Sequence, residues 1–127
     1  MNKYPVYSDQ APTAIGPYSQ AIRVRQFLYT SGQIALDPKT GIILGSSIEK
    51  ETEQVLNNLK AILTADGLSL ANVIKTNVYM VDMKEFEQMN MVYEKFFEPH
   101  KPARACVQVA ALPKEARLEI DVIAFAE

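Results

Sequence analysis

Apolar residues recur at helical spacing in two stretches of the chain. Ile48, Val55, Leu56, Leu59, Ile62 and Leu63 fall on one stripe, which predicts a helix. Ser46, with Glu49 three residues on, reads as its capping box, and Gly67 as its C-terminal stop. The second stripe is Phe86, Met89, Tyr93 and Phe96 or Phe97. Asp82 and Glu85 open it, and Pro99 and Pro102 end it. Strand-like runs cover residues 3–7, 20–25, 27–30, 73–81, 103–110 and 117–125. A loop rich in Pro, Ala and Gly fills 11–18, and Asp37-Pro-Lys-Thr-Gly41 is a turn by its chemistry. A second turn spans 112–116.

The predicted order is β-β-β-α-β-α-β-β. Two long helices on one face of a mixed sheet make an α+β sandwich. Along the last strand Leu118, Ile120, Val122 and Ala124 share one face. Arg117, Glu119, Asp121, Ile123 and Phe125 share the other, where charge mixed with Ile and Phe suits a subunit interface better than open water. In the run 103–110, Arg104 and Cys106 share a face, and Ala105, Val107 and Val109 take the opposite one, which suits a core. A cationic fork and a thiol side by side on a strand form a candidate anion site.

With 127 residues the chain is expected to form a single domain over 1–127, long enough to bury roughly two thirds of its unfolded surface. One cysteine excludes an internal disulfide, and with one histidine, His100, it leaves no basis for a metal site. No cofactor is expected. A formal charge of −2 with no basic cluster makes nucleic acid an unlikely main partner. No run approaches the roughly 18 apolar residues of a membrane span, so no membrane partner is expected and the expected location is cytoplasmic.

Several motifs extend this picture: Ala14-Ile-Gly-Pro-Tyr-Ser-Gln-Ala21, Thr30-Ser-Gly-Gln-Ile34, Asn90 with Tyr93 and Phe96-Phe97, and Pro102-Ala-Arg-Ala-Cys-Val107. Leu112-Pro-Lys114 and Leu118-Glu-Ile120 follow. In order and spacing the chain resembles the reactive intermediate deaminase (Rid, YjgF-type) family nearly end to end. Ala21 and Ala105 depart mildly from the pattern, where Gly and Ser are common. The resemblance implies a chorismate-mutase-like α+β domain and a homotrimer with a central β-barrel and ligand clefts between subunits. It implies hydrolysis of 2-imino acids such as 2-iminobutanoate and 2-iminopropanoate to 2-oxo acids and ammonia.

It also implies roles for individual residues. Arg104 would bind the substrate carboxylate and Glu119 hold the attacking water. Tyr18, Ser31, Gly32, Asn90 and Cys106 would line the cleft. The chemistry suits the residue types. Arg matches a carboxylate with two parallel hydrogen bonds, and a carboxylate can orient water and take its proton. Cys106 is read as a cleft wall rather than a nucleophile. A non-catalytic metabolite sensor using the same cleft for 2-oxo acids is the alternative.

Overall fold

The computed structural model describes residues 2–127, so Met1, the start of the expected single domain, lies outside the described residues. The described order is β1 (Lys3–Val6), β2 (Ala21–Val24), β3 (Phe27–Thr30), α1 (Ile48–Ala65), β4 (Val73–Met80), α2 (Phe86–Phe96), β5 (Ala103–Gln108) and β6 (Leu118–Phe125). Three single turns of 3₁₀ helix join them at Leu70–Asn72, Met83–Glu85 and Pro113–Glu115. The element order is the predicted one, with ends shifted by a residue or two. The six strands form one mixed sheet in the order β1-β2-β3-β6-β4-β5. Only β4 and β5 run parallel, and α2 makes the crossover between them.

Helix α1 begins one residue later than the capping box predicts. Ser47, not Ser46, is the cap, and its hydroxyl accepts from the Lys50 N–H at 3.2 Å. At the other end Gly67 adopts a φ of +74°. Its N–H donates to the Thr64 carbonyl and that of Leu68 to Leu63, at 3.0 and 2.9 Å, a Schellman closure. The stripe Val55, Leu56, Leu59, Ile62 and Leu63 is fully buried. In α2, Asp82 caps the preceding 3₁₀ turn through the Lys84 N–H, while Glu85 makes no side-chain cap bond. Both helices cover the face of the sheet that carries Leu118, Ile120, Val122 and Ala124 of β6 with Val78 and Met80 of β4. Each such side chain taken fully out of water contributes about 1.5–3 kcal/mol before conformational entropy is subtracted.

The register fixes which side chains share that covered face. Thr76 pairs with Arg104 and Val78 with Cys106, so Arg104 and Cys106 point toward α2. Ala105 and Val107 are exposed on the other face. This reverses the expectation that Ala105, Val107 and Val109 pack into the core. The reason is that α2 brings aromatic side chains down onto β5, and these shield the stem and plane of an arginine as well as they would an aliphatic residue. The opposite, uncovered face carries Phe27, Tyr29, Ile123 and Phe125 at one end and Glu119, Asp121, Asn77 and Tyr79 at the other. Phe27 and Phe125 meet edge to face at 5.2 Å.

One buried charge ties the helix layer to the start of β6. Glu51 of α1 is 2% exposed. Its carboxylate accepts from the Arg117 backbone N–H at 3.0 Å and lies 3.4 Å from the Arg117 Nε. Burial raises its pKa, and the bonds from Arg117 oppose that rise. Removing the carboxylate would orphan the Arg117 N–H and leave its guanidinium only the Glu85 carboxylate, at 3.9 Å. Glu51→Ala is therefore expected to lower unfolding free energy by about 2–4 kcal/mol, and Glu51→Gln, which keeps an acceptor, by less than half of that. Urea unfolding at one fixed protein concentration measures both, and equal losses for the two variants would contradict the assignment.

Candidate functional site

Two groups of polar residues stand out on the sheet, one on each face. The first centres on Arg104, half-buried on the edge strand β5. Its Nη1 donates to Asn90 Oδ1 at 2.7 Å. Its guanidinium carbon lies 4.7 Å from the Tyr93 ring centre and 5.5 Å from that of Phe86. Phe86, Asn90 and Tyr93 sit four and three residues apart on α2, so one helix face addresses a single guanidinium. Among the described residues no carboxylate forms an ion pair with Arg104. A cationic fork kept from water on its faces but left without a counter-ion is suited to an anionic ligand. Arg104, Asn90 and Tyr93 line an open cleft of ≈ 380 Å³ together with Lys101 and Pro102.

Cys106 follows Arg104 on the same face but lines neither this cleft nor the second one. Burial raises the pKa of its thiol, and Arg104 only partly offsets that. That direction argues against a thiolate nucleophile. His100 is exposed in the loop before β5.

The second group centres on Glu119, which projects from the uncovered face of β6. The loop after β3 reaches it by a backbone bridge. The Gln33 N–H donates to the Ile120 carbonyl at 2.9 Å, and the Ile120 N–H donates back at 3.1 Å. That bridge presses Gly32 against Glu119 so closely that a Cβ there would overlap the carboxylate. A larger residue at this position would push the Glu119 carboxylate aside. Glu119, Gly32 and Tyr18 line a cleft of ≈ 310 Å³ with Ile15, Pro113 and Lys114. Burial first, and then the neighbouring Asp121, push the Glu119 carboxyl above its ordinary pKa. Asp121 is itself held by Asn77 Nδ2 at 2.9 Å.

Ser31 is not among the residues lining that cleft. Its hydroxyl donates to the Ser19 carbonyl at 2.6 Å and so fixes the segment carrying Tyr18. Buried Gln20 fixes the same segment, accepting from the Ser8 N–H at 2.6 Å and donating to the Ser8 and Pro12 carbonyls at 3.0 and 2.8 Å. Within one chain, then, Arg104, Asn90 and Cys106 are together, and so are Tyr18, Gly32 and Glu119. Arg104 and Glu119 lie on opposite faces of the sheet. A wider groove of ≈ 580 Å³ between Tyr7–Gln10 and α1 contains none of these residues. Sequence reading missed Thr76, whose hydroxyl lies 2.8 Å from the Tyr93 hydroxyl, and it treated Tyr93 as core alone. The available signal was the spacing of Phe86, Asn90 and Tyr93 on one helical face.

Comparison with known proteins gives a consistent set of relatives. The family profile described as Endoribonuclease L-PSP matches residues 8–126. A RutC family protein of Pyrococcus horikoshii is 51% identical over 122 residues, covering 96% of this chain and 97% of the relative. The human protein named 2-iminobutanoate/2-iminopropanoate deaminase is 45% identical over 116 residues, covering 91% of this chain and 85% of that protein. Among solved structures, the Rid-family protein YyfA of Yersinia pestis superimposes with a TM-score of 0.95 at 42% identity, covering 98% and 99% of the two chains. Escherichia coli TdcF with bound serine superimposes with a TM-score of 0.93 at 41% identity, over 98% and 99%.

The electrostatics of the second group can be checked directly. In a carbon-detected NMR titration the Glu119 carboxyl should show a midpoint above 4.5, and Asp121→Asn should lower that midpoint without bringing it below 4.5. A midpoint under 4.5 in the unsubstituted protein would contradict the description.

Proposed function

Because the chain belongs to the Rid (YjgF-type) family, described also as Endoribonuclease L-PSP, we propose that it hydrolyses reactive 2-imino acids to 2-oxo acids and ammonia. The substrates proposed are 2-iminobutanoate and 2-iminopropanoate, those in the names of the human and mouse relatives. The observation that carries the proposal is Arg104: half-buried, held by Asn90 and two rings, and lacking a carboxylate partner among the described residues. A 2-imino acid places a planar carboxylate beside an electrophilic C=N carbon. The fork takes the carboxylate through parallel N–H···O bonds and so fixes C2.

Water then adds at C2. Glu119 orients it and takes one of its protons while the C=N electron pair moves onto the nitrogen of the protonated imine, giving a neutral carbinolamine. The same carboxyl returns that proton to the amino nitrogen and then takes the hydroxyl proton as the C–N bond breaks, so that C2 becomes a ketone, ammonia leaves and the proton passes to solvent. Imines already hydrolyse in water, so the protein need lower the barrier by only a few kcal/mol, each ~1.4 being tenfold in rate. Cys106 takes no covalent part in the scheme.

The Arg104 and Glu119 groups are proposed to meet in one cleft between copies of a homotrimer, Arg104 from one copy and Glu119, Tyr18 and Gly32 from the next. The opposite-face arrangement supports this reading. So does the uncovered face with Phe27, Tyr29 and Phe125, which a central barrel of three sheets would bury. Ribonuclease chemistry has less support: the single histidine, His100, is exposed in the loop before β5 and lines neither cleft.

A coupled assay that generates the imine from threonine with a dehydratase tests the reaction. Arg104→Ala and Glu119→Gln should each bring imine decay to its spontaneous rate. Decay at the unsubstituted rate in either variant would contradict the scheme, and spontaneous decay with the unsubstituted protein, if it still binds 2-oxobutanoate, would favour a non-catalytic sensor. The pH dependence has a fixed sign. The base must be ionised, so activity falls as pH drops through the raised pKa of Glu119, and Asp121→Asn moves that acid limb to lower pH.

A further inference from the structure

Arg104 carries its charge on a long, flexible stem, yet its environment leaves it little freedom. The Tyr93 ring covers the guanidinium at 4.7 Å and that of Phe86 approaches it at 5.5 Å. Tyr93 cannot swing away, because its hydroxyl meets Thr76 Oγ1 at 2.8 Å and its ring packs on Phe97 at 4.6 Å between centres. Thr76 is fully buried and lies directly beside Arg104 in the β4–β5 register. The tyrosine thus spans from the strand position next to the arginine, across α2, and back onto the guanidinium. Asn90 occupies Nη1, and among the described residues it is the only side chain that accepts from Arg104.

We propose that Tyr93, anchored by Thr76, and Phe86 are positioning residues that fix the plane of Arg104 in the free protein and so preset its remaining N–H groups for a planar carboxylate. Neither ring is assigned contact with the reacting atoms. Their effect is to remove, before the ligand arrives, rotamer freedom that an unsupported arginine would lose on binding. Low polarity on the faces of the cation also strengthens the hydrogen bonds made at its edge. The inference rests on the reading of Arg104 as the carboxylate-binding residue.

The experiment pairs 2-oxobutanoate binding by calorimetry with imine-hydrolysis kinetics in four variants. Phe86→Leu and Tyr93→Leu should each raise the Kd for 2-oxobutanoate and the KM for imine by about five- to tenfold, the loss of one cation–π contact, with kcat changed less. Phe86→Tyr, which keeps a π face over the cation, should recover most of the lost affinity. Arg104→Ala is the control that separates the two proposals. If it leaves binding and turnover intact, the function reading fails. If it abolishes both while Phe86→Leu and Tyr93→Leu bind as the unsubstituted protein does, the positioning role is overturned and the function reading stands. A variant that loses unfolding stability but keeps its Kd also overturns the role, since that marks packing alone. Phe86 is only half-buried, so Phe86→Leu decides the matter should Tyr93→Leu fail to fold.

Discussion

The two-residue alternation of the strands is the constraint on which everything else in this molecule depends. In β6 it drives Leu118, Ile120, Val122 and Ala124 under the helices and turns Glu119 and Asp121 to the other side. Through the β4 register it fixes β5 as well, so that Arg104 follows Thr76 onto the helix face. A one-residue slip of either strand would bury a carboxylate in the core or expose the arginine to water. Stability and chemistry are therefore set by one register. The apolar residues that hold it in place are the same ones that assign Arg104 and Glu119 to opposite faces.

In the proposed scheme that separation makes the two clefts of a single chain halves of a shared site. On the helix side there is a guanidinium with no counter-ion, stacked against rings. On the uncovered side there is a carboxylate that burial and Asp121 make more basic than usual, beside a glycine whose missing side chain gives it room. In that scheme neither half suffices alone. A fork without a base binds anions, and a base without a fork has nothing to hold the carbon that water must attack. A closed assembly of identical copies, in which one patch meets a different patch of the next, brings such halves together at every interface.

Most of the framework was legible from residue patterns because its signals are local. Helix α1 follows from its stripe and from Gly67, and β6 from an imperfect alternation whose apolar face is Leu118, Ile120, Val122 and Ala124. Local signals failed where a partner distant in sequence decided the outcome. The side of β5 that faces the core was misjudged, since Ala105 and Val107 look like core residues until α2 lowers Phe86 and Tyr93 onto Arg104. Ser47 displaced Ser46 as the cap by a single residue. Glu51 gave no hint of its role, because its bond to the Arg117 N–H joins positions 66 residues apart. The hydrogen bond from the Ser31 hydroxyl to the Ser19 carbonyl was likewise not visible in the sequence. Asn90 could be placed on the helix by spacing, yet only the structure gives its hydrogen bond to Arg104.

The central claim is that Arg104 and Glu119 act in one cleft but from different copies of the chain. Mixing two inactive variants tests it most directly. Arg104→Ala protomers retain Glu119, and Glu119→Gln protomers retain Arg104. After denaturation, equal mixing and refolding, about a quarter of the interfaces in a ring of copies should pair an intact arginine with an intact carboxylate and recover activity in proportion. A mixture as inactive as its two components, with assembly confirmed by light scattering, would contradict the claim and return both residues to a site within one chain.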